Sequence, residues 1–408
     1  MSNADEHALE ILSTPMRAWS KYVVILLTSF WTIGPCIAGD RIAVGLFHGA
    51  NYVRATITAH DQAFELWADN KLLIHLNAGQ QLEVSSISGA LNVYFNQHTT
   101  TAIKKITFKP VAESASLHIQ PVGAKTNRRR YGQEMEVISY AGRLQFINLL
   151  QVEEYVAGVI EAESGSNQTT EFYKVQAVIS RTYAINNLQK HKAEGFHMCD
   201  AVHCQVYHGL PLHEPKTYEA AFATRDLVIV DHHIEMIDAT FHSNCGGRTY
   251  KANEVWTNDV PHLQSIEDTH CNQMPHSYWK KTIAKTEWDQ FIYNQRNPLI
   301  ADTDTASYRT AMLKPQYVVD STLSISRVDM REAFKLKSVK FDVTMTEDSV
   351  RFNGRGFGHG VGLCQEGAMA RANEGMRYQE IIHAYYQDVH LIPRYMLWFF
   401  KDEESNGD

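Results

Sequence analysis

The 408 residues carry 38 Lys and Arg against 46 Asp and Glu, a net charge of -8, with 44% hydrophobic and 21% charged residues. That balance excludes disordered and fibrous chains, and it argues against a nucleic-acid surface, which needs a basic excess. The length allows two or three domains, and no period of about 20 to 50 residues recurs to suggest a repeat architecture.

At the amino end, Arg17 and Lys21 precede an apolar run over residues 22–33, short for a membrane span, followed by Cys36, Ile37, Ala38 and Gly39. Residues 1–38 read as a signal peptide cut after Ala38, with an uncleaved anchor as the rival, and either predicts export. Outside the cytosol disulfides are permitted. The cysteines beyond the signal, Cys199, Cys204, Cys245, Cys271 and Cys364, are odd in number, so at least one thiol is expected to be unpaired or metal-bound.

Short alternating stretches such as RIAVGLF, VRATITA and LNVYF predict a small β-rich accessory domain over residues 40–122. Its His48, His60, His75 and His98 are scattered and read as structural or solvated. The polar, basic GAKTNRRRY over residues 123–131 reads as a linker and domain boundary.

Two strands, over residues 134–139 and 142–150, lead to VEEYVAGVIEAESGSNQTTEFYKVQAVISRTYA, a helix pair broken at Ser164-Gly165-Ser166-Asn167. Val156, Val159, Ile160 and Glu163 fall at i, i+3, i+4 and i+7, so Glu163 continues an apolar stripe. Glu153, Glu154 and Glu161 fall off it and are expected as solvated surface acids, with Glu161→Gln nearly silent. A carboxyl against Val and Ile is held towards its neutral form, which makes a general acid. A helix end turned to solvent is the plain alternative. The second helix is expected to cap at Thr170, to bury Phe172, Val175, Val178, Ile179 and Thr182, and to place Gln176, Ser180 and Tyr183 on a polar face able to line a cleft.

In CDAVHCQVY, Cys199 and Cys204 flank His203 at a spacing that can chelate zinc, with His191, His197 or His208 to complete the shell. A local disulfide competes, because only one such pair is present. Strands over residues 227–242 end in Ser243-Asn244-Cys245-Gly246-Gly247, a turn or a close backbone approach, and Trp256 is a candidate sugar platform or a core residue. Cys245 and Cys271 could pair. Residues 278–338 are mixed, with one helix expected around 286–293. In GRGFGHGVG, glycines alternate from Gly354 to Gly362, and His at position 359 breaks the dinucleotide fingerprint. His359 is then available to donate to or accept from a ligand. Two closing helices and a short acidic tail over residues 402–408 complete the chain.

YVAGVIEAE with KVQAVISRTYA, CDAVHCQVYHG with FHSNCGG and VW, and GRGFGHGVGLCQEGA, in that order, resemble the SpoIID/LytB family of lytic transglycosylases. The resemblance spans residues 130–393 and leaves the β region outside it. It implies an α+β fold, a helix-containing catalytic domain with mixed strands over residues 130–395, preceded by the mostly-β domain. It also implies an exported enzyme of the periplasm, envelope or septal wall that cleaves the MurNAc-β-1,4-GlcNAc bond of peptidoglycan to 1,6-anhydro ends, in sporulation or division. Such enzymes favour glycan strands denuded by an N-acetylmuramoyl-L-alanine amidase, the expected partner. No nucleic acid is implied, and the membrane only through an uncleaved N-terminal segment.

Glu163 matches the family's catalytic acid and base, although Glu163-Ser164-Gly165 replaces its usual E-M-P-like turn. Gln176, Arg181, Tyr183, Gln205, Tyr207, Ser243, Trp256, Gly358, His359, Gly360 and Gln365 are expected to hold the sugar. Cys199, His203 and Cys204 are expected as zinc ligands where relatives hold one, a structural ion, with no cofactor needed for the chemistry. Two other readings stand beside this: a non-catalytic glycan-binding scaffold that keeps the cleft, and a zinc hydrolase, which lacks an H-E-x-x-H motif.

Overall fold

The computed structural model describes residues 41–124, 129–256, 258–296 and 316–397. The expected signal or anchor and the acidic tail lie outside the described residues. Among the described residues no helix is long and apolar enough to cross a membrane.

The architecture is α+β, with its strands concentrated in the first half. Twelve strands come first: β1 (Arg41–Leu46), β2 (Arg54–Ala59), β3 (Phe64–Ala68), β4 (Lys71–Leu76), β5 (Gln81–Ile87), β6 (Ala90–Phe95), β7 (His98–Ile103), β8 (Lys105–Pro110), β9 (Ser116–Pro121), β10 (Arg130–Gly132), β11 (Glu134–Tyr140) and β12 (Arg143–Gln151). They form two sheets, ordered β1-β12-β11-β8-β3-β4 and β10-β9-β2-β5-β6-β7. Alternating buried positions such as Ile42, Val44 and Leu46 on β1 supply the apolar core.

Both sheets run across the boundary expected at residues 123–131. In one, β1 pairs antiparallel with β12, Arg41 opposite Gln151; in the other, β10 pairs with β9. The first sheet gains β13 (Met198–Cys199), parallel to β1 with Cys199 opposite Gly45. Phe196 requires that glycine, since a Cβ on Gly45 would sit 2.6 Å from its ring.

Helix α1 (Val152–Ser164) follows β12 directly, and α2 (Thr170–Asn186) packs against it. Thr169, one residue before the expected cap, accepts from the Phe172 N–H at 3.3 Å. Val156, Val159 and Ile160 on α1 and Phe172, Val175, Val178, Ile179 and Thr182 on α2 are fully buried. Gly158 lets a neighbouring segment cross α1, because a Cβ there would meet the Gly209 carbonyl at 2.3 Å. Two of the expected surface acids are instead structural. Glu153 is buried against Arg181. Glu161 accepts from the N–H groups of Leu212, His213 and Glu214 at 2.8–3.0 Å, fixing the loop before α3 (Lys216–Ala223). Helix phase shows which way a side chain leaves its own helix but not what a distant loop brings to meet it.

Beyond α3 come β14 (Leu227–Val230) and β15 (Phe241–His242). A satellite core of Trp279, Trp288, Met330, Phe334, Val350 and Phe352 then lies among β16 (Tyr278–Ala284), α4 (Lys285–Arg296), β17 (Gln316–Asp320), β18 (Leu323–Ser326), α5 (Arg327–Ala333), β19 (Phe341–Met345) and β20 (Ser349–Arg355). β21 (Leu363–Cys364) pairs parallel with β15. α6 (Gln365–Asn373), α7 (Tyr378–Tyr385) and β22 (His390–Pro393), antiparallel to β14, close the described chain.

Candidate active site

Glu163 lies in the last turn of α1, half-buried, beside an open cleft of about 350 Å³. One wall is Glu163 itself with Tyr183 of α2 and Val202, His203, Cys204 and Gln205 from the following loop. Facing them are Thr240 to Ser243 from the β15 region, Phe357, Gly358 and His359, and Gln365 at the start of α6.

Burial raises the Glu163 carboxyl above its ordinary range, and a 2.7 Å hydrogen bond from the Val206 N–H to Oε1 opposes part of that shift. The turn after it is locked. Gly165 ends α1 at φ 68°, the Tyr173 hydroxyl donates to the Gly165 carbonyl at 3.0 Å, and Glu214 accepts from the Asn167 N–H at 2.9 Å. Glu163 is the one carboxylate lining the cleft among the described residues.

The expected sugar-holding residues divide into three groups. Tyr183, Gln205, Ser243, Gly358, His359 and Gln365 line the cleft. Trp256 lies behind His359, with ring centroids 5.2 Å apart. Gly360 packs against Tyr250, whose ring a Cβ there would meet at 2.9 Å. Gln176 is fully buried, its Oε1 accepting from the Gln365 Nε2–H at 3.2 Å, so it positions a lining residue instead of lining the cleft itself.

Arg181 and Tyr207 do not line the cleft. The Arg181 guanidinium is fully buried and spent on Glu153, on the carbonyls of Ala221 and Leu227, and on Thr224. Tyr207 is fully buried, donating to Asn148 Oδ1 at 3.1 Å. Both sit on sides of their segments that the core covers, which the polar ends of the two side chains conceal in sequence.

His359 has no ring nitrogen left for a ligand. Its Nε2–H donates to the Phe241 carbonyl at 2.9 Å and its Nδ1 accepts from the Val361 N–H at 3.1 Å. Burial holds it neutral, its pKa lowered to about 4. It therefore shapes the glycine loop, where a Cβ on Gly358 (φ +111°) would meet His242 at 2.8 Å.

The residue missed in sequence is His242. It is 4% exposed and lines the cleft; its Nδ1–H donates to the Val361 carbonyl at 3.0 Å, and Nε2 makes no hydrogen bond among the described residues. Burial lowers its pKa to about 3, so the ring is neutral and Nε2 is a buried, unpartnered acceptor in the cleft wall. Across the cleft, the Gln205 Oε1 accepts from the Tyr155 hydroxyl at 3.2 Å while its Nε2 is likewise buried and without a partner among the described residues. Its place in FHSNCGG, just before a small-residue turn, was the available signal for His242.

Beside the cleft, His191, Cys199, His203 and Cys204 bring one donor atom each within 4.8 Å of one another. The separations of Cys204 Sγ to His191 Nε2, Cys199 Sγ to His203 Nδ1 and Cys204 Sγ to His203 Nδ1 are 3.3, 3.8 and 3.9 Å. They bracket the edge of about 3.5 Å that a zinc tetrahedron of sulfur and nitrogen ligands requires. Glu194 accepts from His191 Nδ1 at 2.5 Å and aims Nε2 at the thiols, as outer-shell carboxylates do. His191 is thus the fourth donor among the three candidates, while His197 Nδ1 accepts from the Ala43 N–H and His208 is exposed. The set fits zinc.

The cleft thus sets one carboxyl, raised by burial, beside two buried polar atoms that have no partner among the described residues. The family model SpoIID, Stage II sporulation protein, matches residues 140–230, which include Glu163 and the four candidate zinc donors. An uncharacterized protein of Brachyspira hyodysenteriae is 26% identical over 343 residues, covering 78% of this chain and 91% of the relative. That share exceeds what residues 130–408 can supply, so this likeness reaches into the strands before the helix pair. Stage II sporulation protein D of Bacillus subtilis is 27% identical over 265 residues, covering 60% of this chain and 76% of its own length. The Bacillus subtilis amidase enhancer is 27% identical over 285 residues, but the chain spans 39% of it. Over residues 140–230 and across these relatives the chain is similar to the SpoIID/LytB family.

Proposed function

We propose that the chain is a cell-wall remodelling enzyme, a lytic transglycosylase that cleaves the MurNAc-β-1,4-GlcNAc bond of peptidoglycan strands with Glu163 as both acid and base. The observation that carries this reading is a lone carboxyl, raised by burial, in a cleft whose other described lining residues include no second carboxylate. Two-carboxylate hydrolysis needs a partner acid at a defined separation. Intramolecular attack needs none.

One Glu163 oxygen is committed to the Val206 N–H, which leaves the other to carry the proton. That proton passes to the glycosidic oxygen as the bond from the anomeric carbon to it breaks. The carboxylate then takes the proton of the sugar's 6-hydroxyl as that oxygen bonds to the anomeric carbon, so the anhydro ring closes and Glu163 regains its starting form. Tyr183 and Ser243, which line the cleft beside it, offer hydroxyls to the acetamido and hydroxyl groups of the sugar, contributing mainly by orientation.

Zinc bound by His191, Cys199, His203 and Cys204 would supply structure only, since four protein donors complete its shell. It would fasten the loop that delivers the Val206 N–H. The same closed shell weighs against the zinc-hydrolase reading. A relative named amidase enhancer supports an amidase as functional partner, acting first to denude the strands. The family's sporulation members and this substrate support an envelope location.

Glu163→Gln should fold normally yet release no 1,6-anhydro ends from denuded glycan, read by mass spectrometry of the products. Full activity in that variant would overturn the proposal. Retention on sacculi by the unaltered chain with no product at all would return the scaffold reading.

A further inference from the structure

A second cluster of metal-binding atoms lies behind the opposite wall of the cleft. Cys245 follows β15, Asp268 and Cys271 belong to the short turn around Thr269–Gln273, and Cys364 ends β21 and caps α6. Their donor atoms all lie within 4.8 Å of one another. Each residue is at most 1% exposed. Cys245 Sγ is 3.3 Å from Cys271 Sγ and 3.7 Å from Asp268 Oδ2. A tetrahedral zinc site with sulfur and oxygen ligands has edges of about 3.5 to 3.8 Å, whereas a disulfide would bring the sulfurs to about 2.05 Å.

Two backbone amides meet one of the sulfurs. Cys364 Sγ accepts from the backbone N–H groups of Cys245 at 3.2 Å and of Gly367 at 3.3 Å, the latter in the first turn of the nine-residue α6. Amide donors and a helix N-terminus both stabilise negative sulfur. Asp268 is held from outside the cluster, as ligating carboxylates are. The Tyr385 hydroxyl donates to Oδ2 at 2.7 Å and Arg371 lies 3.4 Å from Oδ1. Gly367 leaves the room for it, since a Cβ there would stand 2.1 Å from Oδ2. Arg371 offsets the carboxylate's charge. Lys340, whose Nζ donates to the Cys245 carbonyl at 2.8 Å, offsets at most one of three thiolates, and the remaining buried negative charge requires a cation.

We propose that Cys245, Asp268, Cys271 and Cys364 bind one divalent ion of the zinc class as a closed, structural site. It would join three segments distant in sequence and stiffen the wall carrying Ser243, two residues before Cys245, and Gln365, next to Cys364. The inference is independent of the glycan chemistry proposed for Glu163.

The test is zinc content of the full chain by elemental analysis and native mass spectrometry, with alkylation of the protein denatured in chelator without reductant. The wild type should carry about two zinc per chain. Cys199→Ser with Cys204→Ser should retain about one, and Cys271→Ser should also fall to about one. If Cys271→Ser fails to fold, cobalt substitution in the Cys199→Ser, Cys204→Ser variant decides: a tetrahedral ion with three thiolates gives strong sulfur-to-cobalt absorption. The proposal is overturned if the Cys199→Ser, Cys204→Ser variant binds neither metal, or if Cys245 and Cys271 resist alkylation as a disulfide.

Discussion

Gln365 donates its side-chain N–H to Gln176 Oε1 at 3.2 Å, joining two residues 189 positions apart. Gln176 in turn donates to Ser180 Oγ at 3.1 Å, so the polar stripe of α2 is a buried brace for the start of α6. Gln176→Met should leave the Gln365 amide unpaired at a cost of about 1–3 kcal/mol. Thermal unfolding should show that loss. kcat/KM on denuded glycan should fall for Gln176→Met and for Gln365→Ala, and the double variant should lose less than the sum.

The Glu163 carboxyl is raised by burial, so its acid form persists to higher pH than an ordinary carboxyl allows. Activity that needs the acid should be present at low pH and lost as pH rises through the raised pKa. Stability follows the same sign. The contribution is complete below the unfolded pKa of about 4.3 and disappears as pH rises through the folded value. A kcat/KM profile whose alkaline limb lies in the ordinary carboxyl range would contradict this, as would an unchanged pH dependence of unfolding in Glu163→Gln.

Removing Arg181 should damage the fold and not specifically the site. Its guanidinium meets Glu153 with both side chains buried. Arg181→Met leaves that carboxylate unpaired and should cost about 3–5 kcal/mol in denaturant unfolding, with a large part recovered in Arg181→Met, Glu153→Gln.

Glu161→Gln is expected to be destabilising, not silent. The carboxylate serves three backbone N–H groups at residues 212–214, and the amide can accept on one oxygen only. A loss of about 1–3 kcal/mol in chemical unfolding, with KM for denuded glycan little changed, is the expected pair of results.

With zinc held as proposed, chelation should lower stability and activity together, because Val206, donor to Glu163, lies two residues beyond the candidate ligand Cys204. Glu194→Ala should weaken zinc binding by roughly 10- to 100-fold through the loosened His191 ring, measured by competition with a chromogenic chelator. Unchanged affinity would separate Glu194 from the metal shell.

Local periodicity exposed the residues whose role depends on their own helix: the buried Val156, Val159 and Ile160 stripe, and Glu163 continuing it. It could not rank residues whose surroundings arrive from elsewhere. Arg181 looked available because nothing near it in sequence announces Glu153, 28 positions earlier, as its partner. His359 looked free because its acceptor, the Phe241 carbonyl, lies 118 positions away. His191 could not be separated from His197 and His208 until β13 set Cys199 beside β1. His242 carried its signal inside a recognised motif, but its open nitrogen is visible only once Val361 has taken the other.

The pairing of Arg41 with Gln151 also bears on how fast the molecule can assemble. β1 emerges before both of its neighbours during synthesis, so its hydrogen-bonding edges wait for β12 on one side and for Met198 and Cys199 on the other. Loops of that length must close before the sheet beneath α1 exists, and such non-local pairing slows two-state folding towards the millisecond-to-second range. An unpaired β1 is meanwhile an exposed edge, the form in which strands join the wrong partner. Refolding yield should therefore depend on protein concentration more steeply than native stability does.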